Sequence, residues 1–409
     1  MNKFLKEFKD RGYFYQCTSE NDLSQLLDKK KIKAYIGFDC TAESLHVGSL
    51  LQIMCLRLLQ KHGHQPIVLL GGGTTRIGDP SGKDKTRKIL SEKEIEKNSK
   101  NIEKILKKFL DSKNKKTKPI FVNNYKWLKN LNYISFLRNI GKHFTINKML
   151  TFDSVKTRLE REQSLSYMEF NYMILQAYDF LELNKKENCV LQIGGSDQWG
   201  NIVNGVDLIK RYSDNLTYGL TTPLITLATG EKMGKSANGA IWLDKKNLSA
   251  YDYWQFWRNT DDRDVIKFLK FFTDLKIDEI DNSINENINN LKILLANKTT
   301  EMLHGKKEAL NSEKIAKETF SENSSGSNLP SVQLKKSILM KDITIIDLVI
   351  HSKLENSKSE VRRLIKGNAV KINNQNINSE NFLIENKLFN EGYLKLSIGK
   401  KRHIKIELI

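Results

Sequence analysis

The chain has 409 residues, of which 39% are hydrophobic, and its 67 Lys and Arg against 48 Asp and Glu give a formal net charge of +19. This length and apolar content exclude an intrinsically disordered chain and predict two or three domains. The charge favours a polyanionic partner, with nucleic acid first, although Lys is abundant along the whole chain.

The cysteines and the N-terminus limit the cellular context. Cys17, Cys40, Cys55 and Cys189 show no paired spacing, which indicates neither a zinc site nor a disulfide framework and fits a reducing compartment. No apolar run reaches transmembrane length, and the opening MNKFLKEFKDRG lacks the apolar centre of a signal peptide. We therefore expect no membrane association and a cytoplasmic location.

Three strand-to-loop segments predict the fold class. KAYIGFD (33–39) is a short apolar strand, and SLLQIMCLRLLQKHG (49–63) has helical periodicity. QPIVLLGGGTTRIGDPSG (65–82) and NCVLQIGGSDQWGNI (188–202) each run from a strand into a glycine-rich loop, and helical VNGVDLIKRY follows the second. Strand, loop and helix in repetition predict an α/β, Rossmann-like parallel sheet with ligands at the carboxyl ends of the strands.

The remaining segments divide the chain into predicted domains. Residues 90–115 read as a solvated Lys/Glu-rich helix, and 120–185 and 247–320 read as mostly helical. The small, polar SENSSGSNLP is typical of a linker. We predict a Rossmann-like α/β domain over 1–230 with a helical insertion at about 120–160, an α-helical domain over 231–320, a linker over 321–332 and a small basic α+β domain over 333–409.

Two short motifs suggest phosphate binding. HVGS (46–49) lies where a loop enters a helix, and a helix start offers free N–H groups and partial positive charge to a phosphate. EKMGKS (231–236) places Lys232 and Lys235 so close that an anion would relieve their repulsion. A capped helix with a surface histidine and a solvated turn are the alternatives for these two motifs.

Polar residues at the other loops and on one helix extend the candidate site. The loop GGGTTRIGDPSG is neither a P-loop nor a dinucleotide fingerprint, but its glycines would accommodate a close ligand. In GGSDQWGN, Asp197 could accept hydrogen bonds from ribose hydroxyls. In NYMILQAYDF, Tyr172, Gln176 and Asp179 share one face of an otherwise apolar helix, which indicates a pocket rather than solvent.

Together these motifs resemble a known family. HVGS resembles the HIGH signature and KMGKS the KMSKS signature of class I aminoacyl-tRNA synthetases, in the same order. YIGFDCTAESLHVGSL, IGDPSGKDKTR, NYMILQAYDF, QIGGSDQWGN and YWQFWRNTDDRDV are similar to bacterial-type tyrosyl-tRNA synthetases, and SKSEVRRLIKGNAVKINN resembles an S4 RNA-binding domain. The resemblance covers essentially the whole chain.

The resemblance implies a tyrosine–tRNA ligase that makes tyrosyl-adenylate and pyrophosphate from tyrosine and ATP, then transfers tyrosine to the 3′ end of tRNA(Tyr). It implies Mg²⁺ held mainly by the ATP phosphates, with no metal cage in the protein, and a homodimer formed near FLRNIGKHFTINKML.

The resemblance also assigns residues. The tyrosine-binding set is Tyr35, Asp79, Tyr172, Gln176 and Asp179, with Tyr35 and Asp179 on the phenol. The ATP and adenylate set is Asp39, Thr41, Gly48, Gly195, Asp197, Gln198 and Lys235. The catalytic set is His46, Ser49, Lys83, Arg87, Lys232, Lys235 and Ser236, and the tRNA-binding candidates are Lys210, Arg211, Arg362, Arg363 and Lys366.

Two positions depart from the signatures, and two other functions stay open. Ser49 replaces the second histidine of HIGH, and Gly234 replaces the serine of KMSKS, which removes a hydroxyl and adds mobility. A tryptophanyl-tRNA synthetase is disfavoured because Tyr35 and Asp179 suit a phenol. An RNA-binding protein derived from an inactive synthetase is disfavoured because Lys232 and Lys235 are intact.

Overall fold

The computed structural model describes residues 2–81, 90–236, 239–320, 329, 331–339, 342–389, 392–399 and 402–409. These residues form two compact units, Met1–Ala309 and Leu310–Ile409. The three predicted domain boundaries stay a prediction, and most of the predicted linker, 321–328 and 330, lies outside the described residues.

The first unit contains eight strands among its described residues. They are β1 (Gln16–Cys17), β2 (Lys33–Asp39), β3 (Gln65–Gly71), β4 (Ile120–Asn123), β5 (Cys189–Gly195), β6 (Tyr218–Thr222), β7 (Lys235–Ser236) and β8 (Gly239–Ala240). Six of these form one sheet in the order β1-β6-β5-β2-β3-β4, in which only β1 runs antiparallel to its neighbour. The predicted parallel sheet is confirmed.

Helices cover this sheet and form the rest of the first unit. They are α1 (Lys3–Asp10), α2 (Glu20–Lys29), α3 (Leu50–Lys61), α4 (Glu92–Phe109), α5 (Tyr125–Leu128), α6 (Tyr133–Asn139), α7 (Ile146–Leu150), α8 (Asp153–Glu160), α9 (Tyr167–Phe170), α10 (Tyr172–Glu187), α11 (Trp199–Ser213), α12 (Ala250–Arg258), α13 (Val265–Phe272), α14 (Ile277–Asn282) and α15 (Ile288–His304). A further helix, α16 (Lys306–Phe320), begins in the first unit and ends in the second.

The sheet is buried because its strands are apolar on both faces. All but the first residue of β3 are buried, which is expected of a parallel strand covered by helices on both sides. The predicted strand KAYIGFD coincides with β2, which pairs with β3 from Lys33↔Gln65 to Asp39↔Gly71. The ends of these two strands therefore lie side by side.

The expectation of a solvated helix at 90–115 is wrong for one face of α4. Ile95, Ile102 and Phe109 are among its buried residues, because apolar side chains recur at helical spacing between the lysines and glutamates. The charged side chains of α4 lie on the opposite face, which is exposed to solvent.

The second unit is a small α+β domain. Its elements are β9 (Ser331–Leu334), α17 (Lys336–Leu339), α18 (Ile345–His351), α19 (Lys358–Lys366), β10 (Val370–Ile372), β11 (Gln375–Asn376), β12 (Tyr393–Ile398) and β13 (Arg402–Leu408). The strands form one sheet in the order β11-β10-β12-β13-β9, and α18 and α19 contribute Leu348, Val361 and Ile365 to its core. This architecture agrees with the predicted small α+β domain.

Candidate active site

A cavity of about 510 Å³ opens at the carboxyl ends of β2, β3 and β5. The sequence predicted a ligand at this edge of the sheet. Thirteen of the predicted site residues line the cavity: Tyr35, Asp39, Thr41, His46, Gly48, Ser49, Asp79, Tyr172, Gln176, Asp179, Gly195, Asp197 and Gln198.

Tyr35 and Asp179 are buried residues of the cavity lining. Tyr35 is 1% exposed, and its hydroxyl has no hydrogen-bond partner among the described residues. Asp179 is also 1% exposed, and it accepts hydrogen bonds from Trp127 Nε1 at 2.7 Å and from Asn124 Nδ2 at 2.9 Å. Burial raises the pKa of Asp179 to about 7, although these two donors oppose the shift. A ligand hydroxyl would meet a donor and an acceptor here.

A second polar group surrounds Asp39 and Asp79. The Tyr172 hydroxyl donates to Asp39 Oδ2 at 3.0 Å, and Gln198 Nε2 donates to Asp79 Oδ2 at 3.0 Å. Burial and the nearby charges of Asp39 and Asp79 raise the pKa of Tyr172 well above its ordinary value, so this hydroxyl stays protonated. Two carboxylates held in this way attract a cationic group such as an ammonium.

A chain of hydrogen bonds joins the two polar groups. Asn124 Nδ2 donates to Asp179 and, at 3.0 Å, to Thr74 Oγ1, which itself donates to Asp39 Oδ1 at 2.8 Å. The Asn124 side-chain oxygen in turn accepts from Gly73 N at 2.7 Å. Asn124 thereby fixes the orientation of both carboxylates from one buried position.

The two signature motifs contact each other, although they are far apart in the sequence, and His46 and Gly48 also line the cavity. His46 Nδ1 accepts from Gly48 N at 3.0 Å, as the cap of a short 3-10 turn over Val47–Ser49. A Cβ atom on Gly48 would lie 2.9 Å from the Met233 carbonyl oxygen, and one on Gly234 would lie 2.9 Å from His46 Nδ1. Gly234 has φ +134, which L-residues rarely adopt. The sequence predicted that Gly234 adds mobility to its loop, and the positive φ and the close contact with His46 also favour a glycine at this position.

Of the remaining predicted phosphate-binding residues, only Lys232 has a side chain that the structure describes. Lys232 is exposed and forms a backbone bridge with Thr226, outside the cavity lining. Lys235 and Ser236 form strand β7 with β8, but their side chains lie outside what the structure describes. Lys83 and Arg87 fall in 82–89, outside the described residues.

The predicted tRNA-binding residues lie on two exposed helix surfaces. Lys210 and Arg211 are exposed in the last turn of α11. On α19, Arg362 lies 3.3 Å and Lys366 lies 3.8 Å from Glu380, and Arg363 lies 2.7 Å from Glu360. These pairs lie at the surface and hold the side chains only weakly.

Sequence reasoning missed several residues that build the cavity. Thr74 lies inside a loop that the sequence singled out, and Gln192 and Trp242 line the cavity. Asn124 and Trp127 follow β4, whose polar end in FVNNYKW marks the same carboxyl edge of the sheet and could have indicated them.

Among the described residues, no group of three or more His, Cys, Asp or Glu side chains is arranged to hold a metal ion. No helix in the described part of the chain has the length and apolar character needed to cross a membrane.

Comparison with protein families gives two matches that together span most of the chain. Residues 27–321 match the family of class I tRNA synthetases for tryptophan and tyrosine (W and Y). Residues 322–406 match the SYY-like C-terminal domain of tyrosine–tRNA ligases.

Individual relatives agree with the families. The chain is 78% identical over 409 residues to the tyrosine–tRNA ligase of Pelagibacter ubique, with 100% of both chains covered. It is 53% identical to the tyrosine–tRNA ligase of a Wolbachia from Brugia malayi, over 99% of this chain and 98% of the other. A crystal structure of a C-terminally truncated mitochondrial tyrosyl-tRNA synthetase from Aspergillus nidulans matches with a TM-score of 0.71 and 32% identity, over 78% of this chain and 94% of the other. The chain therefore belongs to the class I tyrosyl-tRNA synthetases, the tyrosine–tRNA ligases.

Proposed function

We propose that the cavity at the carboxyl ends of β2, β3 and β5 binds tyrosine and ATP for this ligase. Tyrosine, ATP and tRNA are the substrates of the family to which the chain belongs. One observation carries the assignment of the pocket: two buried polar side chains, Tyr35 and Asp179, line the same cavity, and the Tyr35 hydroxyl has no partner among the described residues.

The phenol of tyrosine would satisfy both of these groups. Its hydroxyl donates to the Asp179 carboxylate and accepts from the Tyr35 hydroxyl, so each polar atom gains a partner. Phenylalanine would leave the buried Tyr35 hydroxyl without a partner and Asp179 without its contact to the phenol, a penalty of which tyrosine-specific synthetases are themselves the known example. Trp127 and Asn124 hold Asp179 in place for this contact.

The ammonium of tyrosine would lie at the second polar group. The cavity is lined by Asp79, Tyr172 and Gln176. Asn201 Nδ2 donates to Gln176 Oε1 at 3.1 Å, which orients the Gln176 side chain. The family resemblance assigns the adenylate to Asp39, Gly195, Asp197 and Gln198 on the neighbouring strand ends.

In the first step, a tyrosine carboxylate oxygen attacks the α-phosphorus in line, and the bond from that phosphorus to the pyrophosphate oxygen breaks. The product is tyrosyl-adenylate, and pyrophosphate carries the negative charge away. Positioning and charge stabilisation suffice for this chemistry, so no covalent intermediate on the enzyme is needed. We assign phosphate contacts to Thr41, His46 and Ser49, and pyrophosphate contacts to Lys83, Arg87, Lys232, Lys235 and Ser236.

Magnesium would enter with the nucleotide. Mg²⁺ keeps several waters and is usually held by phosphates with few carboxylates.

Pyrophosphate exchange with ATP tests the assignment of the pocket. We expect exchange with tyrosine and near-background exchange with phenylalanine and tryptophan. In the Tyr35→Phe variant the preference for tyrosine over phenylalanine should shrink, because the donor to the phenol is lost while the ring volume is kept. Equal exchange with phenylalanine in the parent enzyme would refute the assignment of the pocket to tyrosine. Tryptophan as the preferred substrate would favour a tryptophanyl-tRNA synthetase.

We further propose that two copies of the chain pair through the helical insertion. Seven of the fifteen exposed large apolar side chains among the described residues lie between 133 and 167: Tyr133, Ile134, Leu137, Ile146, Leu150, Leu159 and Tyr167. The Tyr133 and Tyr167 hydroxyls lie 2.8 Å apart, which joins α6 and α9 in one surface. A concentration of exposed apolar side chains is typical of a protein interface.

Light scattering after size-exclusion chromatography tests the dimer. The parent should have the mass of two chains, and Ile134→Glu should shift it toward one, because a charge would be buried without a partner. The matched control is Ile284→Glu, since Ile284 is also more than half exposed but lies outside this surface. A monomeric parent, or an equal shift in the control, would contradict the proposal.

Contacts with tRNA would come from Lys210 and Arg211 in the first unit and from Arg362, Arg363 and Lys366 in the second. All five are exposed basic side chains that can approach phosphates. We place the reaction in the cytoplasm, the compartment of bacterial translation.

A further inference from the structure

A basic surface lies at the amino ends of the strands, at the edge of the sheet opposite the cavity. Three segments meet there: 28–33 at the end of α2 and start of β2, 60–65 between α3 and β3, and 111–118 between α4 and β4. We call this surface the basic face. Because β2 and β3 are each seven residues long, about 20 Å separates this face from the strand ends that line the cavity.

The register of the sheet and side-chain hydrogen bonds bring the three segments together. Lys33 pairs with Gln65, whose side chain donates to the Lys118 carbonyl oxygen at 2.9 Å. The Lys31 ammonium donates to the His62 carbonyl oxygen at 2.8 Å. The segments are therefore neighbours, and their lysines belong to one surface.

The basic face contains far more lysines than acidic residues. It contains two acids, Asp28 and Asp111, against nine lysines, which are Lys29, Lys30, Lys31, Lys33, Lys61, Lys113, Lys115, Lys116 and Lys118. Two of the nine are neutralised from neighbouring helices, Lys33 by Glu187 at 2.9 Å and Lys61 by Glu7 at 2.6 Å. The other seven are exposed and have no ion pair with any described carboxylate.

The lysines of 111–118 are presented on an ordered turn. The side-chain amide of Gln60 donates to the carbonyl oxygens of Asp111 and Thr117, both at 2.7 Å, and accepts from Asp111 N at 3.0 Å. Thr117 is buried, and Lys116 N is bound to Asn114 Oδ1 at 3.0 Å. Like charges held close in this way repel one another, and an anion bridging them removes that repulsion.

The chemistry of the face selects RNA as its partner. None of the exposed large apolar side chains among the described residues lies in 28–33, 60–65 or 111–118, so the face lacks the apolar anchors of a protein interface or of membrane insertion. A polar surface of unpaired lysines matches a phosphate backbone, whose binding needs charge and no sequence readout.

We propose that the basic face is a second RNA-binding surface, which holds RNA backbones without sequence preference and apart from the catalytic cavity. Its function is electrostatic capture, which raises the local concentration of RNA near the enzyme. The proposal is independent of the roles assigned to residues of the cavity.

A charge-neutralising variant of the full-length protein tests it. In Lys113→Gln/Lys115→Gln/Lys116→Gln/Lys118→Gln the binding of a short RNA duplex of mixed sequence should fall on the order of tenfold at low salt. The slope of log affinity against log salt should become shallower by about 2 to 4, because up to four counterion-releasing contacts are lost. Tyrosine-dependent pyrophosphate exchange should be unchanged, which separates this result from a failure of the proposed function.

The matched control removes the same charge elsewhere. Lys6, Lys97, Lys156 and Lys276 are exposed lysines, each within 4.0 Å of a carboxylate, and their replacement by Gln should change duplex binding less than twofold. RNA should also protect Lys113, Lys115, Lys116 and Lys118 of the parent from acetylation, as read by mass spectrometry. Equal loss of affinity in both variants, absence of protection, or binding of the face to anionic phospholipid vesicles in preference to RNA would overturn the proposal.

Discussion

Replacing Gly234 by alanine should separate the adenylation rate from tyrosine binding. A Cβ atom at this position would lie 2.9 Å from His46 Nδ1 and 3.0 Å from His46 Cε1, and the backbone there has φ +134. The variant can relieve this contact if the loop carrying Lys232 retreats from His46 or if the His46 ring turns away, and either movement disrupts the packing of the two motifs. A strained backbone of this kind costs an L-residue about 1 to 3 kcal/mol, which would lower the population of the packed loop by about 5- to 150-fold.

Single-turnover formation of tyrosyl-adenylate measures this effect. We expect the rate constant in Gly234→Ala to fall by about 5- to 150-fold. Tyrosine affinity, titrated separately, should stay near that of the parent because Tyr35 and Asp179 lie on β2 and α10, outside the loop. The matched control is Gly230→Ala in the same loop, where φ is +86 but nothing lies within 4 Å of the added Cβ. This control carries backbone strain without the contact, so its loss of rate should be smaller than that of Gly234→Ala. An unchanged rate in Gly234→Ala, or the same loss in the control, would refute the role of the contact with His46.

Three further predictions concern other parts of the molecule. Burial raises the pKa of Asp179 to about 7, so the stability that its protonation contributes is fully present below about pH 4 and is lost as pH rises to about 7. Tyrosine affinity should rise over the upper part of this range as the carboxylate forms, and the same pH dependence in Asp179→Asn would contradict this. A chain ending at Phe320 should keep pyrophosphate exchange but lose most tRNA charging, and equal losses in the two assays would make the tail structural. Arg158 and Glu169 form an ion pair at 3.1 Å with 3% and 1% exposure, so Arg158→Met should lower the free energy of unfolding in urea by about 3 to 5 kcal/mol, and the added Glu169→Gln change should restore part of it.

Local pattern was sufficient to predict the parallel sheet and the elements that build it. Apolar runs bounded by glycine and polar residues predicted where β2 begins and ends, and helical periodicity predicted α3 and α10. The polar stripe on α10 correctly indicated a cavity, because a carboxylate such as Asp179 on a buried helix must face polar partners.

Contacts between distant segments could not be read from the sequence. Asn124 orients Asp179 and Thr74 only because β4 lies beside β3 in the sheet, and strand order is a property of the whole fold. The solvated reading of α4 failed on one face for the same reason, since burial depends on what packs against a helix.

The sequence by itself determined the fold class, the family resemblance and the strand ends at which ligands would bind, since these depend on local periodicity and on short motifs. Only the tertiary structure decided that Gly234 packs on His46, that the Tyr35 hydroxyl is buried without a partner among the described residues, and that lysines from three segments form one surface. Each of these depends on distances between residues far apart in the chain, which are fixed when the sheet and its covering helices pack together.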